Sequence, residues 1–323
     1  MAFKPDFISG YTVELPQIKG PLKNDIAPLK NGNGYIIDYA HHSLALNKNR
    51  KFAFFSASNI NGPDWKAIAR SGSFSKDVKA VDPDFQLGKE LYDAIKSKGK
   101  KKNDFEEGHL TSFQEVLWGN AAEKKKAASD TFHYTNCVPQ HERLNSGLWR
   151  SLEQYILKSE TVDHGLKVIV ITGPVLLDTD PWFVKKVNGE YVQVPLAFWK
   201  LVYYPNKNGL NVVGFMMSHK QLLVKDGTVT YTKDNVRGIT AVPPEAEELF
   251  MDYKYDDVYQ VDVKAIIELT GLNFTLKGVK QPFRKKEKKA LLLKRIEVTR
   301  SFNRDGIPAA PADLDFEVGG ISL

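Results

Sequence analysis

The sequence predicts an α+β fold: a mixed, mainly antiparallel central sheet flanked by helices. Three observations carry that expectation. The apolar-rich runs YIIDYAHHSLALN (35–47) and KFAFFSASNI (51–60) flank the polar KNR, the pattern of an antiparallel hairpin. AFWKLVYYP and LNVVGFMMS repeat the arrangement around the turn NKNG. Between the two pairs, NSGLWRSLEQYILKSE places Leu148, Leu152, Tyr155 and Ile156 at helical spacing.

The elements follow in order. Residues 1–33, with scattered proline and glycine, read as an irregular lead-in. His41 and His42 fall within the first strand run. From 64 to 103 the chain is polar and loop-rich, with one short helical segment at LGKELYDAIKS; ligand-contacting surfaces concentrate on such ground. DTFHYTNCV (130–138) alternates as a strand does, and Pro139 is expected to end it. The helix at 145–160 comes next. LKVIVITGPVL is a continuous β-branched run, as expected of a central strand buried on both faces. VDVKAIIELTGLNF supplies a helix closed by Gly271. The expected organisation is a lead-in at 1–33, a domain at 34–275 and a basic extension and tail at 276–323, which wraps the core, forms an appendage or mediates assembly.

Composition narrows the class. The chain has 323 residues, 42% of them hydrophobic and 26% charged, which suits a globular protein able to bury a sizeable core. No run of about 18 apolar residues could span a bilayer, so no membrane partner is expected. The first residues lack the basic end and apolar stretch of a secretory leader, which makes the cytoplasm the default location. Cys137 is the sole cysteine, excluding an intrachain disulfide and a cysteine-based zinc cluster. A net charge of +6 favours polyanions without requiring them. KSKGKKK (96–102) and RKKEKKALLLKR (284–295) concentrate that charge; composition alone reads them as solvated faces.

Chemistry points to a few residues. His109, in DFEEGHLTSF, is either a satisfied structural ring or a base able to take a proton from water. Asn145 stands at the start of the periodic helix, with Glu153 eight residues on. In an ideal helix the two lie about 12 Å apart along the axis and about 80° apart around it, on one side. An amide and a carboxylate so placed suit a hard cation such as magnesium, which keeps most of its waters. Taken singly, Asn145 is as well read as a helix cap, Glu153 as a solvated helix residue, Asn136 as a turn former and Trp149 as core.

The combination of FEEGHL, DTFHYTNCVPQHERLNSGLWRSLEQYI, VIVITGPVL and VPLAFWKLV resembles the DNA/RNA non-specific endonuclease family, the ββα-metal nucleases. The likeness runs from about Tyr35 to Phe274, and order and spacing both agree. It implies a ββα-metal motif, a Mg²⁺ cofactor that Mn²⁺ can replace, DNA and RNA as partners, and hydrolysis to 5′-phosphate and 3′-hydroxyl ends. By resemblance His109 matches the general base, Asn145 the direct metal ligand, Glu153 the carboxylate that orders the metal's waters, and Asn136 the amide near the active centre.

One departure stands out. The family signature Asp-Arg-Gly-His is here Glu106, Glu107, Gly108 and His109, so an acid replaces the arginine. A like charge at about 4 Å from a phosphate costs about 1 kcal/mol or more where partly exposed. Lys100, Lys101 and Lys102 are candidates to restore positive potential for substrate binding. Arg70, in ARSGSF, is either a surface residue or the family's other phosphate-stabilising arginine. An active nuclease needs restraint in its host, so control by an inhibitor, by assembly (a homodimer included) or by delivery elsewhere is expected. A catalytically weakened nucleic-acid-binding or regulatory protein is the competing expectation.

Overall fold

The β-branched run at 166–176 becomes part of the middle of a large sheet. In the computed structural model of the chain, residues 1–94, 105–231 and 258–283 are described, together with the strands Leu293–Arg300 and Phe316–Gly319. The sheet has nine strands in the order Phe316–Gly319, Leu293–Arg300, Val258–Val261, Gly209–Ser218, Ala197–Asn206, Lys167–Pro174, Phe52–Asn61, His42–Asn47 and Ile36–Tyr39. Every pairing within it is antiparallel. Parallel pairing among the described residues is confined to isolated bridges such as Ser75 with His133.

The two expected hairpins form, with one refinement. The run at 35–47 folds back on itself, giving two strands rather than one, because His41 takes a left-handed turn at φ 69°. His42 opens the second strand. In the other hairpin Asn206 Oδ1 accepts from the Asn208 amide at 2.8 Å, closing the turn as NKNG predicts.

Both faces of the central strands are covered, which explains why they read as unbroken apolar runs. Each fully buried Val, Ile or Phe contributes roughly 1.5–3 kcal/mol. On one face lies the helix Val263–Thr270, begun by Asp262, whose side chain accepts from Lys264 N, and ended by Gly271 in the left-handed region as expected. Phe274 beyond it meets Trp199 edge-on at 5.3 Å. The lead-in is irregular apart from Gln17–Ile18, which pairs with Leu272–Asn273, and a 3₁₀ turn at Gly20–Asp25. It is nevertheless core: Phe3, Ile8, Val13, Ile18 and Ala27 are buried.

Over the other face lies a ββα unit. The strands Phe105–His109 and Cys137–His141 pair antiparallel, and helical turns follow from 142 to 162. Two expectations are corrected here. The strand does not span 130–138 and Pro139 does not end it: residues 131–136 form a turn and a 3₁₀ segment, and the strand runs through Pro139 to His141. Proline is tolerated because this two-stranded pair has a free edge, so the missing N–H breaks no ladder in a central strand. The helix begins at Glu142 rather than Asn145, because His141 Nδ1 accepts from Arg143 N and is the cap. A further helix, Ala121–Asp130, carries a capping box of Asn120 and Glu123. Of the predicted short helix, Lys89–Tyr92 forms, Leu87, Gly88, Asp93 and Ala94 flank it outside the helix, and residues 95–97 lie outside the described residues. No helix among the described residues is long and apolar enough to cross a membrane.

Candidate active site

The ββα unit opens a cleft of about 650 Å³ on its outer side, walled by the loop 68–74, the strand Phe105–His109 and the first turns of the helix. His109, Arg70, Asn145 and Glu153 all line it; Asn136 does not. Lys100, Lys101 and Lys102 lie outside the described residues.

His109 ends its strand. Its ring sits between Phe74, with centroids 4.6 Å apart, and Phe132 at 4.9 Å. Burial pushes the imidazole down to about 3, and the charge of Arg70 and the neighbouring His42 act in the same direction. The ring is therefore neutral at neutral pH and keeps a lone pair. Its Nε2 is enclosed and has no hydrogen-bond partner among the described residues, while the residue as a whole is only partly buried.

The backbone beyond His109 is clamped by Asn136. Its Oδ1 accepts from Thr111 N at 3.0 Å, and its Nδ2 donates to Thr111 O at 2.9 Å and Thr131 O at 3.1 Å. This fully buried amide has no reach into the cleft, so it holds the histidine loop in place.

Glu106 and Glu107 leave the strand beside the cleft in different ways. Glu106 Oε2 accepts from Asn145 Nδ2 at 2.8 Å and from Ser146 Oγ at 2.9 Å, tying strand to helix. The bond fixes the amide's orientation: no hydrogen bond among the described residues occupies Asn145 Oδ1. Glu107 Oε1 accepts from the Tyr134 hydroxyl at 2.6 Å.

The helix departs from regular geometry where Asn145 stands. Asn145–Trp149 and Tyr155–Val162 are π-type turns, and Gly147 (φ −103°, ψ −122°) leaves helical conformation between Asn145 and Glu153. Such irregular turns often occur at functional sites. Trp149 is core, 2% exposed. Glu153 faces inward, its Oε1 lying 3.5 Å from Lys200 Nζ without hydrogen-bond geometry. Burial pushes its carboxyl up, Lys200 opposes that shift and Glu115 adds to it.

Arg70 is exposed on the opposite wall, its guanidinium 5.6 Å from the Phe132 ring centroid. Arg150, also exposed on the cleft, is a residue that sequence reasoning missed. The signal was available: it lies three residues before Glu153 on the same helical turn. Lys200 was also missed, hidden inside an apolar strand.

The charge of the cleft decides what it can accept. Among the described lining residues, Arg70, Lys89 and Arg150 face Asp93, Glu106, Glu107 and Glu153, three cations against four carboxylates. A phosphodiester enters such a wall only with added positive charge. No group of three or more His, Cys, Asp or Glu side chains able to hold a metal occurs among the described residues. The donors present are instead an amide oxygen and carboxylates on partly exposed ground. They fit a hard, largely hydrated divalent cation and not a soft or fully ligated one.

Comparison with known proteins shows what the chain is similar to. The family model for DNA/RNA non-specific endonucleases matches residues 24–281. The uncharacterized protein y4fB of Sinorhizobium fredii (strain NBRC 101917 / NGR234) is 33% identical over 250 residues, covering 74% of this chain and 33% of that protein. The chain thus spans about a third of the length of that curated relative. A crystal structure of the EndoG/EndoGI complex, concerned with the mechanism of EndoG inhibition, is 16% identical with a TM-score of 0.48 and covers 75% of this chain and 86% of that one.

Proposed function

The chain belongs to the DNA/RNA non-specific endonuclease family, and from that premise we propose that it is a Mg²⁺-dependent endonuclease cutting DNA and RNA without sequence preference. The observation that carries the proposal is the meeting of His109, Arg70, Asn145 and Glu153 in one cleft from three separate segments.

His109, neutral at neutral pH, accepts the proton of the attacking water on Nδ1, the ring nitrogen that is not enclosed; general-base help of this kind contributes about 10²–10⁴-fold. Asn145 Oδ1 would hold the cation, Glu153 would order its waters, and Mn²⁺ would substitute for Mg²⁺. When bound, the ion supplies charge neutralisation on the phosphoryl oxygens and the leaving 3′-oxygen. Arg70 binds the phosphate from the facing wall, and Arg150 and Lys100, Lys101 and Lys102 add positive potential along the strand path. Such contacts carry no base information, which accounts for the lack of preference. The products are 5′-phosphate and 3′-hydroxyl ends.

Glu107 favours a second reading, a catalytically weakened nucleic-acid-binding protein, because it puts a negative charge where an arginine would help. Plasmid nicking separates the two. Wild type with Mg²⁺ is expected to nick, and EDTA or His109→Ala to lower the rate by at least about 100-fold. Magnesium-independent binding without nicking would instead support the binding protein.

A further inference from the structure

Lys200 lies mid-strand in Ala197–Asn206, and its side chain is fully enclosed. A buried lysine is costly unless paired. Here Nζ lies 3.2 Å from Glu115 Oε1 and 3.5 Å from Glu153 Oε1, with the Trp149 ring centroid at 5.4 Å. Burial alone would lower its affinity for the proton, yet Glu115 and Glu153 outweigh that and hold the ammonium above its usual range.

The network reaches further through Glu115. Its Oε2 accepts from Ser58 Oγ at 3.0 Å and from the Ser112 amide at 3.3 Å. Ser58 belongs to the strand Phe52–Asn61, and Ser112 follows His109 by three residues. One buried cation therefore ties the sheet to two of the segments that line the cleft: the helix through Glu153 and the histidine loop through Glu115. Charge exceeds what stability needs, since well-packed apolar groups usually serve a core at least as well as a buried ion pair.

We propose that Lys200 is a positioning residue that pins the Glu153 carboxylate and, through Glu115, the loop after His109 to the sheet, setting the separation of helix and loop. The proposal rests on the nuclease reading above. Lys200 touches neither substrate nor metal in this account; it acts through the residues that do.

The test uses the full chain and three readouts: thermal unfolding without metal, Mn²⁺ binding followed by loss of the free-ion electron paramagnetic resonance signal, and steady-state cleavage. Lys200→Met alone leaves two carboxylates without their cation and is expected to unfold at lower temperature. Lys200→Met with Glu115→Gln restores the formal balance, and its unfolding midpoint should return near wild type. In that double variant Mn²⁺ affinity and kcat should still fall by about 10–100-fold, with KM for nucleic acid changed much less. A second variant avoids the lysine: Glu115→Gln alone should keep Mn²⁺ affinity within about threefold while lowering kcat about tenfold, because only the histidine loop is released.

A double variant that is stable, binds Mn²⁺ and turns over like wild type would overturn the positioning role. So would Glu115→Gln with unchanged kcat. Wild type that neither binds Mn²⁺ nor nicks plasmid would overturn the nuclease reading itself, and the two failures are distinct.

Discussion

Glu107 sits two residues before the proposed base, and its carboxylate is held by the Tyr134 hydroxyl. Since it lines a cleft already short of positive charge, removing its charge should help substrate binding. Glu107→Gln keeps an acceptor for Tyr134, and Glu107→Arg adds a cation. Each is expected to lower KM for DNA by about three- to fivefold, the equivalent of roughly 1 kcal/mol at a partly exposed site. A loss of activity at unchanged stability would show that the glutamate takes part in the reaction. His42 is a different case, buried beneath the site with a ring nitrogen that has no hydrogen-bond partner among the described residues. Burial lowers its pKa to about 4, its bond to Ala40 O and the charge of Asp130 opposing, and the adjoining His133 and His41 reinforcing the shift. The unfolded chain therefore binds more protons between about pH 4 and 6.5, and stability is lost as pH falls through that window. His42→Phe, keeping a ring against Tyr39, should flatten the pH dependence of the urea unfolding free energy by up to about 1.4 kcal/mol per pH unit there. An unchanged slope would place the acid sensitivity elsewhere. At this scale the motif order picked out His109, Asn145 and Glu153, which line one cleft, but gave no sign of Lys200. Its strand reads as apolar on both sides, and only the fold reveals that a charge on one face meets two acids.

The strand Phe105–His109 depends on a glycine for a reason of space. A Cβ on Gly108 would come 2.4 Å from the Gln140 side chain, which is itself buried and without hydrogen-bond partners among the described residues. Gly108→Ala should therefore overpack the ββα unit, costing about 1–3 kcal/mol by urea denaturation and reducing cleavage through displacement of His109. Adding Gln140→Ala should recover most of both losses; a double variant as damaged as the single one would show that backbone, not space, governs the position. The legibility of elements follows the same logic of range. The helix Val263–Thr270 was readable because its Asp262 cap and Gly271 stop are local signals. The capping box at Asn120 and Glu123 was just as readable and was overlooked. Residues 131–136 were misread as strand because their alternation reflects tertiary demands: Thr131 and Asn136 are buried to bond each other and the histidine loop, not to face a sheet.

At the scale of the whole molecule, a nine-stranded sheet stands behind a cleft whose walls come from segments far apart in sequence. The lead-in shows why composition misjudges such a fold: proline and glycine leave it little regular structure, yet Phe3 N bonds Ser43 Oγ and Asn59 bonds Lys4, so the segment packs against the sheet. Charge is the other property of the whole. The net +6 is not found on the described cleft wall, where acids outnumber bases. If the chain is the proposed nuclease, its affinity for nucleic acid comes from the cation it would bind, the two cleft arginines and the lysines of residues 100–102. If three to five of these cations replace counterions on phosphates, log K for an arbitrary duplex in Ca²⁺, which should permit binding without turnover, will fall against log salt with a slope of about −3 to −4.5. Arg70→Ala and Arg150→Ala should each reduce that slope by about one and weaken binding equally for unrelated sequences, since phosphate contacts read no bases. Fluorescence anisotropy across about 50–200 mM salt measures it. A flat salt response, or a variant that changes the ranking of sequences, would mean that the cleft recognises bases and would refute a phosphate-led mode of binding.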